Sequence, residues 1–169
     1  MNGESGKLSA WAMASIVLLR VLIGWHFLYE GIAKLEKPAW SAAGFLLQSR
    51  GLFSGLFRWM AANENVLAVV NPLNMWGLTL IGLGLIVGCF TRVASASGIL
   101  LILLFYLCNP PFVGYFYSIP MEGNYLIVNK NLVELCALAV VFTTGSGRVV
   151  GLDRILHRLL QRRARPAAA

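Results

Sequence analysis

The chain has 169 residues, of which 58% are hydrophobic and only 12% charged, and it carries a formal net charge of +7. Its mean hydropathy is +0.71. Soluble domains average about 25% charged residues, so the composition excludes a soluble globular domain and predicts an integral membrane protein. Because each membrane helix needs roughly 20 residues, there is room for about four spans in a single domain, residues 1–169, and for no separate soluble domain.

Four long apolar runs predict an all-α protein whose membrane helices form a four-helix bundle. Lys7 precedes a first run that is longer than the apolar core of a signal peptide, so we interpret this run as a retained helix. The second run contains Gly84 and Gly88, whose spacing favours close helix packing and is compatible with homo-oligomerisation. The predicted spans are residues 10–33, 66–89, 92–109 and 125–145.

The basic residues predict the orientation of these spans. The tail from Arg148 to Arg165 is the densest basic cluster in the chain, so it is predicted to lie in the cytoplasm. With four spans the amino terminus lies there too, as expected for a multi-pass protein of the bacterial inner (plasma) membrane. On the predicted outer side, residues 110–124 contain no Lys or Arg, in agreement, whereas residues 34–65 carry four basic residues and oppose this orientation.

Two segments outside the spans are amphipathic. In residues 150–165, Leu and Ile recur at helical spacing opposite the arginines, which predicts a basic helix on a surface of anionic lipid rather than a nucleic-acid-binding segment. Residues 41–65 combine Phe, Leu and Trp with Ser, Gly and Arg. We therefore expect interfacial helices in this first connection, covering the outer mouth of the bundle.

The first span carries four ionisable residues, Arg20, His26, Glu30 and Lys34. A central Arg costs about 2.5 to 3.5 kcal/mol on membrane-insertion scales, and ionisable residues inside a membrane helix by default indicate a functional site. In the predicted orientation the polar residues of all four spans lie toward the outer leaflet, with Arg20 at the floor of a polar pocket. The other predicted members of this polar zone are Asn71, Asn74, Asn109, Asn124, Asn129, Lys130, Asn131 and Glu134.

Ion pairs between helices are expected within this pocket. Arg20 is predicted to pair with Glu134, and Glu30 with Lys130 or Lys34. A structural role is the alternative, because a buried Arg20–Glu134 pair can simply fix helix register and Lys34 can extend to the membrane surface.

The residue pattern predicts no bound metal or flavin. Cys89, Cys108 and Cys136 are all predicted inside spans and form no CxxC pair, so neither a zinc site nor a redox pair is indicated. The two histidines, His26 and His157, are predicted on opposite sides of the membrane, which leaves a haem or a binuclear metal centre without ligands. His26 is therefore interpreted as a structural histidine rather than as a metal ligand or a proton carrier, and any redox cofactor is mobile or belongs to a partner.

The segment RVLIGWHFLYEGIAKL resembles the first-helix signature of the DoxX/DoxD family of membrane proteins. The matching positions are Arg20, Gly24, Phe27, Gly31 and Lys34. The segment GNYLIVNKNLVEL is similar to the family's fourth helix, and the resemblance covers nearly the whole chain, residues 18–153. Glu30 and the long first connection resemble the DoxD-like branch, the membrane subunit of thiosulfate:quinone oxidoreductase.

This resemblance implies a four-helix bundle that oxidises thiosulfate to tetrathionate together with a second small subunit and uses quinone as a mobile electron acceptor. Arg20, Lys34 and Lys130 would bind thiosulfate or quinone oxygens, and Glu30 or Glu134 would accept a proton, so these two are the candidate catalytic residues. The candidate substrate- or quinone-binding residues are Arg20, His26, Lys34, Asn71, Asn74, Asn124, Lys130 and Asn131.

Other functions remain open at the level of the sequence. Some members of the family belong to redox-stress or membrane-assembly complexes, so the alternative is a non-catalytic anchor or assembly partner of another protein, including a periplasmic one. A transporter is less favoured, because four spans form only a small pore unless several copies assemble.

Overall fold

The described part of the chain, residues 9–118 and 126–164 of this computed structural model, folds into helices and contains no strand. The predicted all-α class is therefore confirmed. A turn of 3-10 helix, Ser146–Arg148, follows the sixth of seven α-helices. These helices are α1 (Ala10–Leu35), α2 (Ala43–Leu47), α3 (Ser54–Ala62), α4 (Glu64–Val87), α5 (Thr91–Cys108), α6 (Lys130–Thr144) and α7 (Leu152–Ala164).

Three of these helices, α1, α4 and α5, are long and apolar enough to cross a membrane. Their bounds agree with the first three predicted spans to within two residues at each end. Within the fourth predicted span, residues 125–145, the helix α6 begins at Lys130, because the side chain of Asn129 accepts a hydrogen bond from Leu132 N (3.1 Å) and caps the helix there. The 15 residues of α6 form about 22 Å of helix, so its crossing of a membrane stays a prediction.

The helices α1 and α4 run antiparallel and touch through glycines. A Cβ atom at Gly82 would lie 2.7 Å from the carbonyl oxygen of Gly24, and one at Gly31 would lie 2.6 Å from the amide nitrogen of Thr79. Neither position has room for a methyl group, because the neighbouring atoms belong to the backbone. The two helices therefore approach more closely than any larger residue would allow.

The predicted small-residue pair Gly84 and Gly88 does not form this contact. Gly88 ends α4 in the left-handed conformation with a φ of 69°, a geometry that suits glycine. Gly84 instead faces Ala94 of α5, whose Cβ would lie 3.3 Å from an added methyl. The two residues thus serve the tight turn between α4 and α5.

A continuous apolar core lies between the four long helices. Leu85, Leu138 and Val141 are fully buried, and Gly98 on α5 allows the side chain of Leu138 to approach. Van der Waals packing and the absence of voids stabilise such a core inside a membrane as in water. Its buried members are Ile23, Phe27, Leu78, Ile81, Leu85, Ala94, Ile102, Leu138 and Val141.

The first connection folds over the end of α5. Ser49 Oγ donates a hydrogen bond to the carbonyl oxygen of Cys108 (2.7 Å), and Arg58 Nη2 donates to the carbonyl oxygen of Ser49 (3.0 Å). The connection thus contains two helices, α2 and α3, while their position at a membrane interface stays a prediction. Their buried apolar cluster comprises Ala42, Leu46, Phe57, Ala61 and Cys108.

The tail is attached to the opposite end of the bundle. The carboxylate of Asp153, near the start of α7, accepts hydrogen bonds from Phe90 N (2.7 Å) and Thr91 N (2.9 Å) and so caps the first turn of α5. The helix predicted at residues 150–165 is therefore present. Its attachment to anionic lipid stays a prediction.

Gly82→Ala is expected to destabilise the protein, because the added methyl group meets the backbone of α1, which cannot rotate away. Overpacking of this kind costs about 1 to 3 kcal/mol. The purified protein is heated in detergent, and the fraction that stays monodisperse is measured at each temperature. The midpoint temperature of this curve should fall.

The matched control is Gly77→Ala on the same helix, where nothing lies within 4 Å of the added Cβ. This control should leave the midpoint unchanged or raise it, because alanine is the better helix former. Equal losses in both variants would show that the close approach of α1 and α4 is not required.

Candidate functional site

A cavity of about 790 Å³ opens at the end of the bundle where α1 and α5 end and α4 and α6 begin. We call this end the cavity end and the opposite one, where α7 is attached, the tail end. The helix α2 and the residues before it form part of the cavity wall. The lining residues are His26, Phe27, Glu30, Lys34, Trp40, Ser41, Ala42, Gly44, Phe45, Gln48, Asn74, Leu78, Ile102, Phe105, Asn109, Asn129, Lys130, Asn131 and Glu134.

The part of the wall formed by the bundle core is apolar. Phe27, Leu78 and Ile102 are buried there, each less than 5% exposed. Phe45 of α2 and Phe105 of α5 add an edge-to-face aromatic pair with ring centroids 5.6 Å apart. Such a wall suits a flat apolar ring better than a fully hydrated ion.

The mouth of the cavity carries the charged side chains. His26 Nδ1 lies 2.8 Å from Glu134 Oε1, with 45% and 12% of the two side chains exposed. When Glu134 is ionised it can only accept, so the histidine carries a proton on Nδ1. This contact joins α1 to α6 at the cavity.

A second pair lies one turn further along α1. Lys34 Nζ donates to Glu30 Oε2, four residues earlier in the same helix, and lies 5.8 Å from the centroid of the Trp40 ring. Lys130, at the exposed start of α6, makes no ion pair with any described residue. Among the described residues, the mouth therefore combines two paired carboxylates with one exposed lysine outside these pairs.

Two amide oxygens in the wall have no partner among the described residues. Asn74 Oδ1 and Asn109 Oδ1 are both inaccessible to solvent and accept no hydrogen bond. Asn109 Nδ2 donates to the carbonyl oxygen of Phe45 (3.4 Å), which directs its oxygen away from that group. Buried acceptors are usually satisfied by protein groups or by ordered water.

Most of the predicted site residues line this one cavity. Seven of them come together from three helices, although they are spread over more than 100 positions of the sequence. They are His26, Glu30, Lys34, Asn74, Lys130, Asn131 and Glu134.

The predicted binding residue Asn71 does not line the cavity. The side chain of Asn71 is used inside the protein, since its Oδ1 accepts from Ala42 N (2.9 Å) and its Nδ2 donates to Ser41 Oγ (3.4 Å). It holds the segment before α2 against α4. Asn124 lies outside the described residues.

Arg20 does not form the floor of the cavity. It is 2% exposed, and its Nη1 donates to Ser146 Oγ (3.4 Å) at the tail end. Side chains of a helix point toward its amino terminus, and the ten residues between Arg20 and Glu30 span about 15 Å. The predicted pair between Arg20 and Glu134 is therefore wrong, because Glu134 contacts His26 instead.

Several residues of the cavity wall were not predicted from the sequence as site residues. Asn109 and Asn129 belong to the predicted polar zone by their position at helix ends, whereas Trp40, Phe45 and Gln48 belong to the connection. The apolar character of this connection predicted a cover over the bundle, but no local pattern indicates which of its side chains turn inward.

The next feature is the arrangement of the side chains that could bind a metal ion. Within residues 9–118 and 126–164, no three His, Cys, Asp or Glu side chains come together as metal ligands would. Cys89 lies in the turn between α4 and α5 rather than inside a span, and Cys136 is exposed. The prediction that all three cysteines lie inside spans is therefore wrong for Cys89.

The fold and the site define an α-helical membrane protein with a ligand-sized cavity at one end of its bundle. The DoxX family matches residues 15–108, more than half of the chain, and the protein belongs to this family. The match includes α1, α4 and α5 and ends before α6. No curated protein and no solved structure matches the chain.

The segment after α5 gives a pH dependence that can be measured. Burial raises the pKa of Tyr117 to about 12, and the hydroxyl donates to the carbonyl oxygen of Pro110 (2.8 Å). In an unfolded chain a tyrosine ionises near pH 10. Between about pH 10 and 12 the unfolded state therefore loses this proton more readily than the folded state, and stability falls as the pH rises through that window.

Tyr117→Phe should remove this part of the alkaline loss, measured as the thermal midpoint in detergent at pH 8, 10 and 11. Tyr29→Phe, at an exposed tyrosine, is the matched control. An unchanged pH profile in Tyr117→Phe would contradict the expectation.

Proposed function

We propose that this protein is the membrane subunit of a quinone-linked oxidoreductase of the DoxD-like branch that oxidises thiosulfate or a related small sulfur compound. The observation that carries this proposal is the cavity itself. It joins an aromatic and aliphatic wall, suited to a quinone ring, to a His26–Glu134 pair at its mouth, suited to proton exchange. The quinone is the mobile electron acceptor.

The reaction balances with these two substrates. Two thiosulfate ions lose one electron each and join through a new sulfur–sulfur bond as tetrathionate. The two electrons, with two protons from water, reduce the quinone to its dihydroxy form. The protein has to hold the quinone ring, attract the anion and supply the protons.

The residues of the mouth suit these tasks. Glu134 and His26 take up protons from water and pass them to the quinone oxygens, because they are in contact and each exchanges a proton readily. Glu30, which is paired with Lys34, is the second carboxylate at the mouth. Lys130 attracts the anion at the rim, since no described carboxylate is paired with it.

The proposed function includes a position in the bacterial inner membrane. We propose that α6 forms a fourth span, that both termini are cytoplasmic, and that α7 lies on anionic lipid with Leu152 and Ile155 exposed on its surface. The cavity then opens toward the outer leaflet, and a quinone enters from the bilayer. A second small subunit would complete the enzyme.

A non-catalytic anchor or assembly partner is the alternative, and one surface favours it. The residues around the start of α3 expose large apolar side chains, with Leu52 98%, Leu56 53% and Trp59 56% exposed. An apolar patch of this kind marks contact with lipid or with another protein. In this alternative, Glu30→Gln and Glu134→Gln weaken co-purification of the partner and leave catalysis elsewhere in the complex unchanged.

The decisive experiment measures thiosulfate-dependent reduction of soluble ubiquinone and menaquinone analogues by the purified protein in lipid nanodiscs. The assay is run with and without the second subunit and followed by the absorbance of the quinone. Quinone reduction that requires thiosulfate is expected. Its absence in both states would reject the enzymatic proposal.

Glu134→Gln should lower the turnover number about 100-fold or more, because general acid–base groups contribute about 10²- to 10⁴-fold. The glutamine keeps the size of the side chain but cannot exchange a proton. Glu64→Gln, at an exposed carboxylate in the first turn of α4 outside the cavity, is the matched control. Equal turnover in the two variants would remove Glu134 from the mechanism.

A further inference from the structure

We infer that Arg92 and Arg148 form a binding site for the phosphate of an anionic phospholipid at the tail end of the bundle. This site is at the opposite end from the cavity. It lies on the bundle itself, so it goes beyond the contact of α7 with lipid that is part of the proposed function. It does not depend on the proposed reaction.

The two arginines meet at Gly145, the residue that ends α6. A Cβ atom at Gly145 would lie 3.9 Å from both Nε and Nη2 of Arg92, the second residue of α5. The backbone amide of Arg148 donates to the carbonyl oxygen of Gly145 (3.0 Å) in the turn of 3-10 helix that follows. Two exposed arginines that are distant in the sequence are therefore neighbours of one glycine.

The guanidinium groups of Arg92 and Arg148 make no ion pair and no hydrogen bond to any described residue. By contrast, Arg58 and Arg154 each donate to a backbone carbonyl oxygen. The negative end of the α6 dipole attracts the guanidinium of Arg92, but no described carbonyl oxygen accepts from it. Both groups thus keep their donors, and the planar guanidinium group matches the oxygens of a phosphate.

The acidic residue of the tail end is already engaged. Within residues 9–29, 86–118 and 135–164, Asp153 is the only acidic residue, and its carboxylate caps the first turn of α5. No second carboxylate of these ranges can neutralise the two arginines. Two neighbouring like charges without a counter-ion favour the binding of an anion from outside the protein.

Exposed apolar side chains flank the two arginines in the sequence. Phe90 and Val93 belong to the turn and first residues around Arg92, and Val149 and Val150 follow Arg148; all four are exposed. A free phosphate ion would leave these side chains uncovered. A phospholipid would cover them with its acyl chains while its phosphate contacts the cations.

The position of the site along the bundle agrees with a lipid headgroup. Arg92 follows the turn between α4 and α5, and both helices are long and apolar enough to cross a membrane. Such a turn emerges at a membrane face, where the phosphates of the lipids lie. This argument holds for either orientation of the chain in the membrane.

The test measures how a soluble anionic lipid stabilises the full chain in a neutral detergent. Dihexanoylphosphatidylglycerol is titrated at about 0.15 M salt, where charges more than about 8 Å apart are largely screened, and the midpoint temperature of the monodisperse fraction is recorded. A ligand of the folded state raises this midpoint, so a saturable rise is expected. Dihexanoylphosphatidylcholine and inorganic phosphate at the same concentrations should produce a much smaller rise.

Each of the other results would overturn the inference. No rise with the anionic lipid would show that it does not bind. An equal rise with phosphatidylcholine would show apolar contact alone, and an equal rise with inorganic phosphate would show a site for a free anion.

Arg92→Gln and Arg148→Gln test the two residues of the site. Each variant should raise the lipid concentration that gives half of the rise about tenfold, because it removes a charge-assisted hydrogen bond to the phosphate. Arg158→Gln, which removes the same charge at an exposed position of α7, is the matched control and should leave this concentration unchanged. Equal losses in all three variants would indicate diffuse attraction to the basic tail and would overturn the site.

The result is separate from the test of the proposed function, because the titration contains neither thiosulfate nor quinone. Selective lipid binding by a protein without thiosulfate-dependent activity would support the lipid site and reject the enzymatic proposal. Activity in a protein that does not bind the anionic lipid would reject the lipid site alone.

Discussion

The close approach of α1 and α4 is the contact on which the rest of the structure depends. Gly24 and Gly31 on α1 and Gly82 on α4 leave no room for a methyl group, so the two backbones touch. In a bilayer the hydrophobic effect does not drive helices together, and close packing has to supply the attraction. This contact brings Asn74 of α4 into the same cavity wall as Glu30 of α1.

The polar residues of α1 serve two different ends of the bundle. Arg20 reaches Ser146 at the tail end, near the turn that Asp153 caps, whereas His26 and Glu30 line the cavity. Some of the signature positions of α1 therefore stabilise the bundle, and others line the cavity. Gly24 and Gly31 pack the helix, Phe27 belongs to the apolar wall, and Lys34 lies at the mouth.

The cavity differs in character from its mouth to its interior. Its mouth holds two ion pairs, while its interior has aromatic rings and two buried amide oxygens that accept no hydrogen bond from a described residue.

The sequence by itself determined the all-α class, the bounds of α1, α4 and α5, and the gathering of polar residues at one end, because hydropathy and helical periodicity are local properties. Only the tertiary structure decided which of these residues share a cavity. It directed Arg20 to the tail end, used Asn71 to hold the segment before α2, and turned Phe45 and Asn109 toward the site. Such choices depend on how α2 folds back over the bundle, and contacts between residues distant in the chain leave no local pattern in the sequence.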